Sequence, residues 1–520
     1  MSSPSLLEVS AFPNHGFWYF PKDQDLAEQQ QLPEIAPINA IFAKILAPRE
    51  NFKPSDSSSK QVLPMIIMEG KYKGRKVWYK KCSELYKPLL AQFESAISSS
   101  YRIPLMERAA SVIPVVNDTG QVVGSVSFEI PNFTPMSELQ LSVEELLKTD
   151  PAPPEAARST RQEDDRHPDN TGITEITTES GKVVKLMAEL DFDMSLYPYT
   201  YKIKGARSIN GILTPLPSKA FPITDRDIDE SPVYTDAQPC YAPALIPKNG
   251  NIGRMSKSIT SYQQLAGRPE YQLKKNYSYL IELLIVPETH HKIMRASFAR
   301  TEEAEACYNE VVEHIKEIYA NLESKLISNA GFRKFIIKNS GVIKTCVEHF
   351  YQYNKTISDG VNIFTAQEIE NRFQDIVKKC VIKDLTISLF NIRINLHRHY
   401  NKNEFITKQF NKLVNLCIDF EDSAFDFPLF KSNIETFEVD PRCKSEWVLQ
   451  TTEFLTVVQN YNEAFDSKGS IWAKSISVPT FKRATSTSFE KHEVKPEITI
   501  SQALKNWLTN PESKTKTRIL

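Results

Sequence analysis

The sequence is poor in glycine and has no paired cysteines. Only 16 of its 520 residues are glycine, so the few turns that contain glycine are easy to locate. The cysteines are scattered singly, with no C-x-x-C pair and an odd total, which favours free thiols in a reducing compartment over a disulfide framework or a zinc site. They are Cys82, Cys240, Cys307, Cys346, Cys380, Cys417 and Cys443.

The chain also lacks an excess of charge of one sign and a long apolar run. Its 63 Lys and Arg residues balance 64 Asp and Glu residues, which gives no global indication of nucleic-acid binding. No stretch reaches about 18 uninterrupted apolar residues, and the N-terminus has no basic start followed by an apolar run. We therefore expect neither a Sec signal nor a transmembrane segment, and any basic binding site must be local.

The chain does contain a succession of strand and helix patterns that predicts an α+β fold. VLPMIIME and RKVWYKK flank the turn GKYKG, and a second hairpin turns at Asn117 to Gly120. Between the hairpins, a helix is predicted over Ser83 to Tyr101, with one buried stripe and the opposite side in water. The residues of the predicted stripe are Leu85, Leu89, Phe93, Ala96 and Ile97. This order predicts a small antiparallel sheet covered by one helix.

After this unit the chain becomes proline-rich and then helical. The segment DPAPPEAARSTRQ (150–162) predicts a loop, and a turn at Ser180 and Gly181 separates two short strands. Helical patterns dominate from residue 259 onward, and the apolar stripes between 300 and 420 are typical of a helical bundle. The polar C-terminal end predicts a mobile tail.

The residue types that phosphoryl transfer requires occur in one order along the chain. Such a site needs a lysine on the phosphates, a carboxylate that holds this lysine, a group near the attacking hydroxyl, and oxygen ligands for a divalent cation. Lys80 ends the strand VWYKK, Glu94 lies on the next helix, and Asp191 begins D-F-D. The D-x-H-x-x-N pattern consists of Asp165, His167 and Asn170. The alternatives are a solvated lysine, an exposed helix glutamate and a solvated acidic loop, but the shared order favours a site.

Several segments resemble one family of atypical kinases. They are VWYKK, AQFESAISSSYRIP, VVNDTGQVVGSVSFEIPNFTP, EDDRHPDNTGI, GKVVKLMAELDFDMSLYP and FPITDRDID. EDDRHPDNTGI is similar to the D-R-H-x-x-N catalytic loop of phosphoinositide 3- and 4-kinases, and ELDFD to their I-D-F-G. More closely, residues 61–300 resemble the atypical kinases among Legionella type IV secreted effectors, a family that includes a protein kinase activated by host inositol hexakisphosphate.

The resemblance implies which residues bind ATP. Lys80 would contact the ATP phosphates, and Glu94 would pair with Lys80. The chain from Glu129 to Pro131 would be the hinge between the two lobes, beside the nucleotide.

The resemblance also implies which residues carry the chemistry. Asp165 or His167 would lie at the acceptor hydroxyl. Asn170 and Asp191 would hold Mg²⁺ or Mn²⁺, since both ions prefer oxygen ligands. Asp193 stands where many kinases have glycine, and it is predicted to add a further ligand.

The sequence departs from the kinase pattern in two places. No G-x-G-x-x-G precedes Lys80, and Gly70 and Gly74 fit a turn between strands, so the loop that covers the phosphates is unassigned. Between the hinge and Asp165 there are 33 residues, mostly polar or proline-rich, where kinases place a long apolar helix. We therefore expect the helix that supports the catalytic loop to be shortened or absent.

A local cluster of cations is a candidate site for an inositol polyphosphate, and the alternative is a solvated loop. The cations are Lys248, Arg254, Lys257, Lys274 and Lys275. Two histidine pairs, His290 with His291 and His397 with His399, lack a third metal ligand and are predicted to be ordinary surface or helix histidines.

Together these features predict an α+β fold: an atypical protein-kinase-like bilobal domain followed by an α-helical C-terminal region. The predicted function is ATP- and Mg²⁺-dependent phosphotransfer to a host protein by a bacterial virulence effector, secreted by a type IV system into the host cytosol and peripheral at host membranes. The alternatives are a catalytically weak pseudokinase scaffold that binds host proteins, and a phosphoinositide kinase. The predicted segments are an N-terminal extension (1–60), an N-lobe (61–136), a C-lobe (137–300), a helical bundle (301–440) and a C-terminal region with the tail (441–520).

Overall fold

The fold is α+β, with a mixed N-terminal sheet followed by a second small sheet and helices. A computed structural model describes residues 31–50, 62–84, 86–163, 168–177, 183–196, 200, 224–232, 261–339 and 366–399. The chain divides into two units at residue 376, and the second is described only over residues 377–399.

Six strands form the N-terminal sheet, in the order β1-β5-β6-β4-β3-β2. Their bounds are Ile41–Phe42 (β1), Leu46–Pro48 (β2), Val62–Ile67 (β3), Lys76–Lys81 (β4), Val112–Val116 (β5) and Val122–Phe128 (β6). Both predicted hairpins are present, as the antiparallel pairs β3–β4 and β5–β6. The second turns at Gly120, whose φ of +81° favours glycine.

The sheet is larger than the sequence predicted and is not purely antiparallel. Residues 41–48, assigned to an N-terminal extension, supply β1 and β2, and β1 pairs with β5 in parallel. The predicted boundary at 60/61 therefore falls inside the sheet. The error has a physical reason: strands of two and three residues carry too little alternation to be recognised.

Helix α1, Pro88–Leu105, covers this sheet and carries Glu94. It begins five residues later than predicted because Pro88 fits the first helical position, while the residue before a proline is driven to the extended conformation that Lys87 adopts. The prediction of a wet outer side is wrong, since Glu94, Ser95 and Ser98 are 0% exposed. A later helix covers that side, which a local pattern cannot reveal.

The second sheet has the order β7-β8-β9, with bounds Thr134–Pro135, Thr171–Thr177 and Val183–Glu189. Two short helices, α2 (Val143–Lys148) and α3 (Ala152–Thr160), precede β8. The predicted loop over 150–162 is thus wrong. Proline is tolerated in the first helical turn, where no intrahelical N–H bond is lost, so the Pro-rich start of α3 is compatible with a helix.

The remaining elements are helical. Their bounds are Asp225–Glu230 (α4), Pro269–Leu284 (α5), Pro287–Arg295 (α6), Glu302–Ser328 (α7), Ala330–Lys338 (α8) and Ala366–His399 (α9). Helix α7 packs against α1, α3, α5 and α6, so the predicted boundary at 300/301 does not coincide with a division of the chain into units. Among the described helices, none is both long enough and apolar enough to cross a bilayer.

Candidate functional site

Lys80, on strand β4, lies between two carboxylates. Its Nζ is 2.6 Å from Oε1 of Glu94 and 2.8 Å from Oδ1 of Asp191. The lysine and the glutamate are 6% and 0% exposed. The structure thus brings together three residues that the sequence placed 14 and 111 positions apart.

The charge of Lys80 is fixed by this arrangement. Burial disfavours the charged ammonium, but the carboxylates of Asp191 and Glu94 outweigh that penalty and raise the pKa of Lys80 above its ordinary value. The lysine therefore stays positively charged at physiological pH. A buried cation that is held by fixed partners is suited to bind an anionic group such as a phosphate.

A residue that the sequence analysis missed holds the other oxygen of Glu94. The buried hydroxyl of Tyr86 donates to Oε2 of Glu94 and lies 2.7 Å from Oγ of Ser125 on strand β6. Burial, with the Glu94 carboxylate beside it, raises the pKa of the phenol well above its usual range, so the hydroxyl remains a donor. Both carboxylate oxygens of Glu94 therefore accept a hydrogen bond, one from Lys80 and one from Tyr86, which gives the carboxylate a defined orientation.

Asp191 and Asp193 follow strand β9 in a constrained turn. Asp191 has a φ of +53°, and between the two aspartates Phe192 is buried and stacks on Tyr101 of helix α1, with ring centroids 4.5 Å apart. This contact ties the turn to the helix that carries Glu94. One oxygen each from Glu94, Asp191 and Asp193 lies within 4.8 Å of the others, so three carboxylates converge beside Lys80.

Asn170 lies at the neighbouring end of strand β8. Its main-chain carbonyl accepts a hydrogen bond of 2.8 Å from the N–H of Leu190, the residue before Asp191. The predicted metal ligands Asn170, Asp191 and Asp193 therefore lie on two adjacent strand ends. The carboxylate cluster also includes Glu94, for which the sequence predicted only the pairing with Lys80.

A buried arginine anchors these strand ends. Arg158 of helix α3 donates from Nε to Glu189 at 2.8 Å and from Nη1 to Glu155 at 2.7 Å, and it also donates to the hydroxyl of Thr171. Thr171 and Glu189 are cross-strand partners and immediately follow and precede Asn170 and Leu190. A planar guanidinium that bonds several oxygens at once fixes their relative positions.

The predicted catalytic residues Asp165 and His167 lie outside the described residues. The segment that leads to them, Arg161 to Glu163, is buried. Part of its support comes from the chain that follows Asp193, because Leu196 donates to the carbonyl of Arg161 at 2.7 Å and Ser195 donates to the carboxylate of Glu163.

Glu129, the predicted hinge residue, does not belong to the carboxylate cluster. It follows β6, and its carboxylate lies 3.6 Å from Arg49. Because Lys80 pairs with Ser125, Glu129 is four residues, or about 13 Å, further along the sheet. The chain passes there from the first sheet to the second, and the hinge role of Glu129 stays a prediction.

The predicted polyphosphate cluster is only partly described. Lys248, Arg254 and Lys257 lie outside the described residues. Lys274 pairs with Asp150 at 2.9 Å. Burial lowers the pKa of Lys275 to about 8, and its amine donates to the carbonyl of Ile228. Both described lysines thus have internal partners.

His290 was predicted to be an ordinary surface or helix histidine; it does lie on a helix, α6, but it is deeply buried rather than on the surface. It is 1% exposed, with Nδ1 2.8 Å from Oγ of Ser100 and Nε2 2.6 Å from the hydroxyl of Tyr319. The side chains of His397 and His399 are outside the described part of the structure.

No protein-family model matches the chain, and no curated protein sequence matches it significantly.

Proposed function

We propose that the chain is an atypical kinase, an ATP- and Mg²⁺- or Mn²⁺-dependent phosphotransferase. The observation that supports this most strongly is the position of the Lys80 ammonium, within hydrogen-bonding distance of both Glu94 and Asp191. A lysine paired with a helix glutamate, beside an aspartate that can ligate a metal, is the arrangement that protein kinases need for phosphoryl transfer.

In this proposal Lys80 binds the nucleotide phosphates and Glu94 keeps its ammonium in place. Tyr86 prevents the Glu94 carboxylate from rotating away. The passage from β6 toward β7 at Glu129 lies about 13 Å from Lys80 along the strand, so that adenine at the hinge and phosphates at the lysine would be separated by a distance comparable with an extended nucleotide.

The donor set also fits a hard divalent cation, since Asp191 and Asp193 offer carboxylate oxygens and Asn170 lies on the adjacent strand end. When bound, Mg²⁺ or Mn²⁺ would supply charge stabilisation for the transferred phosphoryl group. Asp165 or His167 would orient the acceptor hydroxyl from the loop that Arg161 to Glu163 anchor.

The acceptor and the setting of the reaction are proposed from the sequence resemblance. A host protein is favoured over a lipid, and the chain would be a virulence effector that a type IV system secretes into the host cytosol. An inositol polyphosphate as activator remains a prediction, for which Lys248, Arg254 and Lys257 are the candidate residues.

Radiolabelled ATP with Mn²⁺ or Mg²⁺ tests the proposal, with and without a eukaryotic lysate and with phosphatidylinositol vesicles as a separate acceptor. Asp191→Ala should abolish phosphate incorporation and leave the fold intact, because Asp191 is partly exposed at the end of a strand. Asp118→Ala is the matched control, since this aspartate is 72% exposed on the β5–β6 turn and should retain full activity.

Each other outcome has a defined meaning. Labelling of the vesicles alone would favour the phosphoinositide kinase. Equal incorporation by the wild-type chain and Asp191→Ala would remove the proposed site. A thermal shift with ATP and metal separates the last case: without stabilisation by the nucleotide and without turnover, the chain is a scaffold.

A further inference from the structure

Five buried polar side chains from five segments form a closed ring of hydrogen bonds. Oγ of Ser100 is 2.8 Å from Nδ1 of His290, and Nε2 of His290 is 2.6 Å from the hydroxyl of Tyr319. That hydroxyl donates to Glu282 at 3.0 Å, and Nη1 of Arg161 donates to Glu282 at 3.0 Å. Nε of Arg161 donates to Oγ of Ser100 at 3.0 Å, which closes the ring.

The two ends of the ring have fixed roles, because arginine is always a donor and carboxylate always an acceptor. The Tyr319 hydroxyl donates to Glu282, so His290 must carry a proton on Nε2. With His290 neutral, Ser100 donates to Nδ1, and the chain of donation runs from Arg161 through Ser100, His290 and Tyr319 to Glu282. Burial, reinforced by Arg161, lowers the pKa of His290 well below its usual value and supports the neutral form.

The ring members are rigidly placed. Each is at most 4% exposed. The guanidinium of Arg161 also lies against the aromatic side chain of Tyr101, 5.0 Å from the centroid. Fully satisfied buried polar networks rigidify the segments that they join, because any displacement leaves a donor or an acceptor without its partner in a medium of low dielectric constant.

Two of these segments belong to the proposed active site. Ser100 is on helix α1, six residues after Glu94. Arg161 begins the buried segment that leads to Asp165 and His167, and Nη2 of Arg161 also donates to the carbonyl of Ser100 at 2.8 Å. The other three members lie on helices α5, α6 and α7, beyond the two sheets.

We propose that His290 and Tyr319 are positioning residues for phosphoryl transfer. Through the ring they hold helix α1, which carries the partner of Lys80, in fixed register with the base of the loop that carries Asp165 and His167. This inference rests on the proposed function. It also assigns a role to helix α7: the ring helps to provide the support that kinases obtain from the long helix missing between the hinge and Asp165.

The test is Tyr319→Phe in the full-length chain, with Tyr308→Phe as the matched control. Both tyrosines are buried on helix α7, and each loses one hydroxyl, but the hydroxyl of Tyr308 donates to the main-chain carbonyl of His291, outside the ring. We expect Tyr319→Phe to lower kcat about tenfold with KM for ATP changed less than about twofold, because small misplacements of catalytic groups act on the chemical step.

Hydrogen exchange provides a readout that does not depend on catalysis. In Tyr319→Phe, the amides of Gln162 and Glu163 and those of the second half of helix α1 should both exchange faster, although the substitution lies on α7. Ser100→Ala opens the ring at another point and should give the same pattern. Because alanine favours helix, a loss of helix propensity at position 100 would not account for it.

Two results would overturn the inference. One is a kcat for Tyr319→Phe equal to that of Tyr308→Phe. The other is faster exchange confined to α7. If the wild-type chain turns over no ATP, the proposed reaction fails and the positioning role with it, while the exchange data still decide whether the ring couples helix α1 to the segment from Arg161 to Glu163.

Discussion

Replacing Tyr86 by phenylalanine removes one oxygen atom from the buried surroundings of Glu94. The phenol hydroxyl donates to the Glu94 carboxylate and lies 2.7 Å from Oγ of Ser125. A hydrogen bond to a charged group contributes about 1.5–3 kcal/mol to stability, about twice a neutral one. Since the carboxylate is 0% exposed, no water replaces the lost donor without rearrangement. We expect the free energy of unfolding to fall by about 2–3 kcal/mol.

Tyr79→Phe is the matched control on the neighbouring strand. Its hydroxyl donates to the main-chain carbonyl of Val123 at 3.2 Å, a neutral hydrogen bond worth about 1 kcal/mol. Urea denaturation of both variants measures the difference. A double-mutant cycle of Tyr86→Phe with Glu94→Gln isolates the interaction, which we expect at about 1–2 kcal/mol.

The same substitution should weaken ATP use, because a Glu94 carboxylate free to rotate holds Lys80 less well. An increase of about tenfold in KM for ATP corresponds to about 1.4 kcal/mol of lost binding, within the range of the hydrogen bond removed. If Tyr86→Phe costs no more than Tyr79→Phe and the cycle gives no coupling, Tyr86 does not orient Glu94, and the argument for a doubly held carboxylate is wrong.

Two further predictions concern pH and backbone packing. His290 is neutral in the folded state, with its pKa lowered by burial and by Arg161, while the unfolded chain takes up a proton near pH 6.5. The free energy of unfolding should therefore be insensitive to His290 above about pH 6.5 and should fall as the pH drops below that value, by at most about 1.4 kcal/mol per pH unit. His290→Gln should remove this part of the acid dependence. Urea denaturation of both proteins from about pH 8 to about pH 5 measures the difference. Gly124→Ala should destabilise the fold by more than about 1 kcal/mol, since a Cβ there would lie 2.3 Å from the carbonyl oxygen of Lys80. Gly267→Ala is the control and should be close to neutral in the same denaturation assay, because a Cβ at that position meets no atom within 4 Å. Equal losses of stability in the two variants would contradict the packing argument.

The secondary-structure elements that the sequence predicted correctly are those whose signals come from neighbouring residues. Alternation and turn residues located the two hairpins, including the turn at Gly120, and a spacing of three and four residues located helix α1. The conjunction of Lys80, Glu94 and Asp191 was inferred from the order of residue types. That order is informative because protein kinases present a phosphate-binding lysine, its helix glutamate and a metal-binding aspartate in the same succession.

The features that the sequence missed depend on contacts between distant segments. Tyr86 lies between a strand and a helix, where no periodicity marks a side chain as buried. Helix α1 was expected to be wet on one side, and it is covered by α6, which begins 182 residues after the end of α1 (287 − 105). Lys274 and Lys275 were grouped with a basic loop, yet Lys274 donates to the carboxylate of Asp150 and Lys275 donates to the main-chain carbonyl of Ile228.

The region between Glu129 and Glu163 shows how buried charges can take the place of an apolar helix. An apolar supporting helix holds a loop by burial of apolar surface, which is non-directional. Helix α3 has only nine residues, but it presents Arg158 to Glu189 and Thr171 and leads into Arg161, which is bound to Glu282 and Ser100. Each guanidinium forms several bonds of fixed direction, and breaking a buried pair by removing one partner costs about 3–5 kcal/mol. This nine-residue helix and the residue that follows it contribute two buried arginines, and together they can define the position of the Arg161–Glu163 segment as closely as a longer apolar helix, provided that every carboxylate partner remains in place.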